Sequence, residues 1–446
     1  RGPPRPGAAP PAPRRPRRPP RRLALAERQA LGRQSTLRGA CFVDSFGMHQ
    51  VVAETPAHRN LRETRRANHH HHQDVPTAMT TRTHPQDAAA SPSSCAWPKI
   101  RYRARRRRRT PRLPRDGQRC LTAMAWTTLA TAGAITLGSI WGTLARLGLV
   151  ALNTYDGQSI APLVWAQALG CLVFGYASHK RSKAAIEGWY APAFPMITVG
   201  FAGSCTSFST WALDVFQAFS NGEHHDRIGL YSVMDALAQT ATTVGMGLAG
   251  VWAGRALADA YPLSAIPTIR MHTTAGHVTA VLLGALFWIG SALLCGLHAP
   301  FRHVTFALVL CPPGALARWQ LSLLNPPRSA DDRVHVRQWT RWPLGTFLAN
   351  ILATLVLCGV VTGKLSRTFS SKTSCDALQG LQDGFAGCLS TVSTLIAELL
   401  VLRPMRTSFA YLFTSWALAV ISCVLLVGVP RWTLDINDTC QWQVLS

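Results

Sequence analysis

From residue 124 onwards, long apolar stretches alternate with short polar segments. About nine of these stretches reach the roughly 20 apolar residues that a helix needs to cross a bilayer. The predicted spans are 125–151, 161–178, 194–219, 229–256, 277–297, 303–324, 343–363, 380–402 and 408–429. Several spans are rich in Gly, Ser, Thr and Ala, which is typical of helices that approach each other closely. The pattern predicts an all-α membrane protein.

The segment before these spans has a different composition. Residues 1–120 contain 27 of the 46 Lys and Arg residues but 7 of the 21 acidic residues, and so carry most of the net charge of +25. They have no periodic apolar face, and we predict a disordered, Arg- and Pro-rich cytoplasmic tail over residues 1–123. Such a charge suits nucleic acid, but stacking aromatic residues are nearly absent, and contact with anionic lipid is favoured.

Two further features of the tail bear on its interpretation. The chain begins with Arg1 rather than Met, and Met124 stands directly before the first span. An alternative interpretation is therefore that translation starts at Met124 and that the tail is a gene-model artefact. The run His69 to His72 is interpreted as low complexity rather than as a metal site.

The charged loops predict the orientation of the chain. With nine spans, four loops that carry Lys or Arg lie on the same side as the tail: residues 179–193, 257–276, 325–342 and 403–407. The positive-inside tendency places this side in the cytoplasm and the C-terminus outside the cell, although loop 364–379 deviates from it. Cys375 and Cys440 are then extracellular, where a disulfide can form.

Spans one to four resemble spans six to nine. The third span reads Gly200-x-x-Gly203-x-x-Thr206-Ser-Phe-Ser209-Thr210-x-x-x-Asp214, and the eighth reads Gly384-x-x-Gly387-x-x-Ser390-Thr-Val-Ser393-Thr394-x-x-x-Glu398. Gly142-x-x-x-Arg146 recurs as Gly314-x-x-x-Arg318, and Ala166-Gln167 recurs as Ala349-Asn350. Agreement in order across three spans indicates a duplication.

The odd fifth span, 277–297, inverts the second copy relative to the first. We therefore predict two inverted four-helix repeats that are joined by a single linker transmembrane helix, with a shared site near the membrane midplane. The predicted segments are a tail 1–123, a first repeat 124–257, a linker 258–300, a second repeat 301–430 and a C-terminal tail 431–446.

Few ionisable residues lie inside the spans. Arg146 and Arg318 occupy matching positions, and either snorkel to the interface or line a vestibule. Asp214 and Glu398 also match, and either pair with a basic residue or cap a vestibule. Asp235 is the one candidate for an acid that couples transport to an ion gradient. The spans contain no Walker, HExxH or Ser/His/Asp pattern, which argues against an enzyme.

Spans three and eight share two glycines that are followed by clustered Ser and Thr. This pattern indicates either a broken helix whose free carbonyls hold a cation, or close packing alone. A path lined by hydroxyls, amides and aromatic edges suits a small, strongly hydrated anion, because these groups are directed donors.

These motifs resemble those of the fluoride exporters, the bacterial CrcB/Fluc channels and their fused eukaryotic form, FEX. The string Gly200 to Asp214 is similar to the family's signature Gly-x-x-Gly-x-Thr-Thr-Phe-Ser-Thr-Phe. Pro343-x-Gly345-Thr346 followed by Asn350 is similar to the family's second-span pattern. The resemblance covers about residues 125–430, and it implies a fused inverted pair that works as a monomer.

The resemblance also implies roles for individual residues. A structural Na⁺ is expected among backbone carbonyls at the two helix breaks, at Gly203, Thr206, Gly387 and Ser390. The predicted fluoride pore draws on both repeats: Phe208, Thr210, Trp211, Thr243, Asn350, Thr394, Tyr411 and Ser415. The duplication implies a second, matching pore. At its positions Gln167 has a longer side chain than Asn350, and Val392 and Leu395 lack the rings of Phe208 and Trp211, so these three residues are assigned to a decayed twin pore.

The function that the resemblance implies is passive export of fluoride across the plasma membrane. HF enters a cell, dissociates and accumulates as the anion, so that a channel without an energy source is sufficient. Two alternatives stay open from the residues alone. One is an ion-coupled inverted-repeat exporter of another small solute, and the other is a membrane scaffold whose working part is the tail.

Overall fold

The computed structural model describes residues 115–222, 226–263, 271–325, 342–366 and 371–434, together with Gly2 and Cys440. Most of the predicted tail, the run His69 to His72 and most of loop 325–342 lie outside the described residues. The first helix begins at Arg115, so the prediction of disorder as far as residue 123 is wrong. Pro114 stands directly before this start, and proline is a signal for the beginning of a helix, where an N–H has no partner to lose.

The described residues form helices and no strand, as the hydropathy pattern predicts. In chain order the α-helices are α1 (Arg115–Asn153), α2 (Leu163–Ser178), α3 (Lys180–Trp189), α4 (Ala193–Pro195), α5 (Gly203–Cys205), α6 (Phe208–Ser220), α7 (Gly229–Ala260), α8 (Thr274–Leu297), α9 (Arg302–Ser322), α10 (Leu344–Leu365), α11 (Lys372–Gly380), α12 (Gly387–Leu389), α13 (Val392–Val401), α14 (Met405–Cys423) and α15 (Val429–Leu434). A 3₁₀ turn, Ala299–Phe301, precedes α9.

Three π-helical stretches connect some of these helices. Met196–Ala202 joins α4 to α5, Leu381–Ala386 joins α11 to α12, and Val424–Gly428 joins α14 to α15. We call residues 193–220 the first broken helix and residues 372–401 the second broken helix. The two occupy the same place in their respective repeats.

Every predicted span coincides with a helix or with a broken helix. Of the helices in the described ranges, five are long and apolar enough to cross a membrane by length and composition: Met124–Asn153, Thr274–Leu297, Leu344–Leu365, Lys372–Val401 and Met405–Leu434. α2 is apolar but has 16 residues, which is shorter than a full membrane crossing needs. The chain is a multi-pass membrane protein.

The two repeats exchange their half-helices. The half-helix α6, which follows the break in the first repeat, packs against α10 and α14 of the second repeat. Reciprocally, α13 packs against α2 and α7 of the first repeat. This exchange is what a pseudo-two-fold axis between inverted repeats produces, and it places both breaks at the centre of the protein.

Glycines allow the first helix of each repeat to approach its broken helix. A Cβ atom on Gly142 would collide with the backbone carbonyl of Phe201, and one on Gly314 would collide with the carbonyl of Phe385. Phe201 and Phe385 are matching positions of the two π-helical stretches. The duplicated glycines of spans one and six are therefore explained by backbone contact.

A hydrogen bond anchors the linker helix α8 to the second repeat, at a carbonyl that Pro313 of α9 leaves free. Pro313 has no N–H, which leaves the carbonyl of Val309 without its helical donor. The indole Nε1 of Trp288 on α8 donates to this carbonyl at 2.9 Å. α8 also packs along α1, where Phe287 contacts Trp141 with ring centroids 5.8 Å apart.

The cysteines whose side chains the structure describes fall into two groups, and the disulfide that the sequence allows between Cys375 and Cys440 is one of them. Cys375 and Cys440 form a disulfide. The other described cysteines are free and buried: Cys171, Cys205, Cys295, Cys311, Cys358, Cys388 and Cys423.

Candidate functional site

The site is built from the two helix breaks. Thr206 and Ser207 interrupt the first broken helix in extended conformation, and Ser390 and Thr391 interrupt the second in the same way. Ser207 then caps α6 by accepting from the backbone N–H of Thr210, a role that Thr391 has for α13. The broken-helix interpretation is confirmed at both repeats.

An amide side chain clamps the backbone of each break. Gln167 on α2 donates to the carbonyl of Ser207 at 2.8 Å and accepts from the N–H of Ser207 at 3.2 Å. Asn350 on α10 makes the same pair of bonds with Thr391, at 3.2 Å and 2.8 Å. Gln167 and Asn350 are fully buried, so each amide satisfies backbone groups that the break would otherwise leave unpaired.

The hydroxyls of the breaks cap the half-helix of the other repeat. Thr206 Oγ1 accepts from the backbone N–H groups of Val392 and Ser393, both at 3.2 Å. Ser390 Oγ accepts from the N–H of Ser209 at 3.1 Å. The two repeats are therefore joined at the centre by reciprocal helix caps.

Each buried arginine reaches across to the broken helix of the other repeat. Arg146 is 2% exposed and donates to the carbonyl of Asp383. Arg318 is 5% exposed and donates to the carbonyls of Val199 at 2.6 Å and Ser390 at 3.2 Å. The interpretation that these arginines snorkel to the interface is wrong, because carbonyls at the π-helical stretches and breaks supply acceptors inside the protein.

The predicted aromatic residues form one edge-to-face pair. The rings of Phe208 and Trp211 lie 5.4 Å apart at 83° on α6. Val392 and Leu395, at the matching positions of α13, are buried in the same hydrophobic cluster. The ring edges are therefore present on one half-helix and absent from the other.

A buried carboxylate faces the first turn of α14. Glu398 accepts from the hydroxyl of Tyr411 at 3.0 Å and from that of Thr346 at 2.7 Å. Asn325 caps the start of α10 by accepting from the N–H of Gly345 at 2.7 Å and also lies within 3.5 Å of the Glu398 carboxylate. The sequence analysis named Glu398 but missed Thr346 and Asn325 as its neighbours.

The predicted pore residues divide into two groups by the helices that carry them. Phe208, Thr210 and Trp211 lie on α6, which packs against the helices of Asn350, Tyr411 and Ser415. Gln167, Val392 and Leu395 lie on α2 and α13, which pack together and against α7. Thr243 on α7 and Thr394 on α13, which the resemblance assigned to the fluoride pore, are carried by the helices of this second group. Ser415 donates to the carbonyl of Tyr411 at 2.7 Å, and Thr210 shares a 2.8 Å hydroxyl contact with Ser207.

A cavity of about 210 Å³ opens beside the break of the second repeat. Its lining combines cationic and hydroxyl side chains with phenylalanine rings: Phe174, Ser178, Lys183, Phe194, Thr198, Val199, Arg318, Ser322, Thr346, Thr391 and Thr394. Lys183 stands 5.0 Å from the centre of the Phe194 ring. The cavity thus offers positive charge and hydroxyl donors next to the residues that bond to Asn350 and Glu398.

Asp235, the candidate for a coupling acid, is ion-paired. Its carboxylate accepts from Arg227 at 2.8 Å and from Gln239 at 3.4 Å. Asp235 lies in the first two turns of α7, at the end of the span and not at its middle.

Comparisons with known proteins agree with this architecture. The model of the CrcB-like protein, Camphor Resistance (CrcB), family matches residues 133–255 and 305–429. Fluoride export protein 1 of Candida albicans is 30% identical over 332 residues, which are 67% of this chain and 80% of the relative. Fluoride export protein 1 of Neurospora crassa is 31% identical over 369 residues, 69% of this chain and 68% of the relative.

A bacterial relative matches a shorter part of the chain. Fluoride-specific ion channel FluC 2 of Symbiobacterium thermophilum is 35% identical over 128 residues, which are 28% of this chain but 94% of the relative. No solved structure gives a significant match. With two matched copies on either side of α8, the chain belongs to the CrcB family in its fused two-repeat form.

Proposed function

We propose that the chain is a passive channel, not an enzyme, and that it exports fluoride from the cytoplasm across the plasma membrane. The names of its fungal and bacterial relatives, fluoride export proteins and a fluoride-specific ion channel, support fluoride as the substrate. The observation that carries the proposal is the exchange of half-helices, which packs α6, the helix of Phe208 and Trp211, against α10 and α14, the helices of Asn350 and Ser415. A dehydrated anion needs such donors, since its hydration shell must be replaced on the way.

The proposed path begins in the cavity beside Arg318. Lys183 and Arg318 attract an anion there, and the hydroxyls of Thr391 and Thr394 begin to replace its water. The path continues along the surface between α6, α10 and α14, past Phe208 and Ser415.

The proposed twin path runs past Gln167, Thr243, Val392 and Leu395, and it conducts poorly. Val392 and Leu395 offer no ring edge, because aliphatic side chains have no quadrupole with a positive rim. The two amides do not distinguish the paths, because Gln167 and Asn350 each bond to the backbone of a helix break on both of their amide atoms.

The ion pair of Asp235 favours a channel over an ion-coupled exporter. A coupling acid is expected at the middle of a span and facing the transport path, whereas Asp235 lies near the start of α7 in an ion pair with Arg227 at 2.8 Å. HF that enters the cell dissociates there, so that the anion leaves down its own gradient.

A structural Na⁺ at the breaks is part of the proposal. The N–H groups that would continue each helix donate elsewhere, and this frees the carbonyls of Gly203, Thr206, Gly387 and Ser390. Backbone carbonyls are suitable ligands for a hard cation. Arg318 already donates to Ser390, so a cation would share this carbonyl and rely chiefly on the other three. A higher melting temperature in NaCl than in N-methylglucamine chloride is expected, and equal values would contradict the site.

The orientation that we propose has the N-terminus in the cytoplasm and the C-terminus outside. It puts the cavity beside Lys183 and Arg318 on the cytoplasmic side, where fluoride must enter for export. Because both repeats are in one polypeptide, the proposed working unit is the monomer in a lipid bilayer.

Fluoride efflux from liposomes tests the function directly. The full chain is reconstituted in vesicles loaded with potassium fluoride or potassium chloride, and release is started with valinomycin. Fluoride release without chloride release is expected, and a wild-type chain that releases no fluoride would refute the proposed function. Phe208→Ala, Asn350→Ala and Ser415→Ala each remove a side chain that the proposed path runs past, and each is expected to slow release about tenfold or more, which corresponds to about 1.4 kcal/mol in the barrier. Val392→Ala is the matched control, and unchanged release in all three variants would refute the path.

A further inference from the structure

Trp211 lies one helical turn after Phe208 on the half-helix α6. It is 2% exposed, and its ring meets the ring of Phe208 edge to face. α6 is the half-helix that packs against the helices of Asn350, Tyr411 and Ser415. Trp211, Phe208 and Tyr411 belong to one buried cluster, which places Trp211 among the side chains of the proposed path.

The indole N–H of Trp211 has no hydrogen-bond acceptor among the residues that the structure describes. An indole nitrogen only donates, so no rotation of the side chain turns it into an acceptor. A buried donor without a partner costs about 1–3 kcal/mol, and native proteins keep few of them. The N–H is therefore available to a ligand that accepts hydrogen bonds.

The second repeat shows that packing alone does not require an indole at this position. Leu395 occupies the matching place on α13, is 0% exposed, and belongs to the same hydrophobic cluster as Trp211. An aliphatic side chain fills its position without a buried polar atom. The extra donor is present only on the half-helix that also carries the Phe208 ring.

We propose that the indole N–H of Trp211 donates a hydrogen bond to fluoride in transit. This inference rests on the proposed fluoride channel and deepens it, since it assigns a specific donor to the anion. The anion is small, accepts hydrogen bonds strongly and has no hydrogen to donate, so it suits a lone N–H. Ring edges offer a weaker, C–H type of contact, and the N–H makes Trp211 a determinant of fluoride permeation.

Trp211→Phe tests the inference because it keeps an aromatic ring and removes the N–H. Fluoride efflux from liposomes is expected to fall about tenfold or more, in proportion to the loss of one hydrogen bond to a charged group. Trp416→Phe on α14 is the matched control, because Trp416 also has a buried indole nitrogen without an acceptor in the described part of the chain. Its ring packs against Phe219 and Phe413 instead of Phe208, and its efflux is expected to stay within twofold of wild type.

A second measurement uses the wild-type chain and does not depend on the folding of a variant. With ¹⁵N-labelled indole, the resonance of Trp211 Nε1–H is identified by its loss in a chain with benzothienylalanine at position 211, which replaces the N–H by sulfur at nearly the same shape. Sodium fluoride is expected to shift this resonance downfield, and sodium chloride is expected to leave it in place.

The outcomes separate this inference from the function on which it rests. If wild type releases fluoride and Trp211→Phe releases it equally fast, the donor role is refuted. The same holds if sodium fluoride does not shift the Trp211 resonance. In both cases the proposed channel function is not affected. If Trp211→Phe and Trp416→Phe slow release equally, the effect belongs to aromatic truncation and the donor role is again refuted. If wild type releases no fluoride, the proposed function itself fails.

Discussion

Thr206 of the first repeat caps the half-helix of the second repeat by accepting the backbone N–H of Ser393 at 3.2 Å. The same oxygen also accepts from Val392, so that one hydroxyl satisfies two of the first N–H groups of α13. Helix starts leave such groups unpaired, and at membrane depth no water replaces the cap. A helix cap usually comes from a residue just before the helix, whereas here it comes from the other repeat and joins the two repeats.

Thr206→Val is expected to destabilise the protein. Valine has the shape of threonine but leaves the N–H groups of Val392 and Ser393 without their acceptor, at a cost of about 1–3 kcal/mol for each buried donor. The melting temperature of the full chain in detergent should therefore fall by several degrees. Thr206→Ser retains the oxygen and is the matched control, and equal melting temperatures for Thr206→Val and wild type would contradict the capping role.

Gln167→Ala is expected to impair fluoride release as severely as Asn350→Ala does. The sequence comparison assigns Gln167 to the decayed pore, where its loss should matter little. The structure changes this expectation, because Gln167 clamps the backbone of Ser207 directly before Phe208. Liposome efflux and melting temperature, measured together, are expected to fall for Gln167→Ala, and Leu395→Ala serves as the control from the same twin pore. Normal efflux from Gln167→Ala would show that the clamp is dispensable.

The nine helical positions, the duplication and the Cys375–Cys440 disulfide could be predicted from sequence, because hydropathy and internal repeats are local or linear signals. The carbonyls to which Arg146 and Arg318 donate could not be predicted from the sequence. For an arginine near the end of a span, the sequence does not decide whether the side chain reaches the membrane interface or the interior of the protein. Only the fold shows that carbonyls of the opposite broken helix, those of Asp383 and Val199, lie within reach. The anchor of Trp288 on Val309 was missed for the same reason, since it joins two helices through a carbonyl that Pro313 releases.

Gly203→Ala and Gly387→Ala are expected to abolish function. A Cβ atom on Gly203 would overlap the guanidinium of Arg318, and one on Gly387 would overlap that of Arg146. Because these guanidinium groups are buried and bonded to carbonyls, moving either leaves a charge unpaired at several kcal/mol. Expression level and liposome efflux are the measurements. Gly148→Ala on α1 is the control, since a methyl group there meets no described atom within 4 Å. Wild-type efflux from Gly203→Ala would show that Arg318 moves aside without loss.

Cys375→Ser is expected to report the orientation of the chain as well as its stability. The substitution frees Cys440, which the disulfide otherwise consumes, and the cross-link between residues 65 positions apart contributes about 2–5 kcal/mol in comparable cases. In intact cells, a membrane-impermeant maleimide is expected to label Cys440 of Cys375→Ser, because the proposed topology puts both cysteines outside. The wild-type chain should take up the label only after treatment with an impermeant reductant. Cys375→Ser combined with Cys440→Ser is the control for other thiols, and labelling of Cys440 that requires permeabilised cells would reverse the orientation and move the cavity beside Arg318 to the extracellular side.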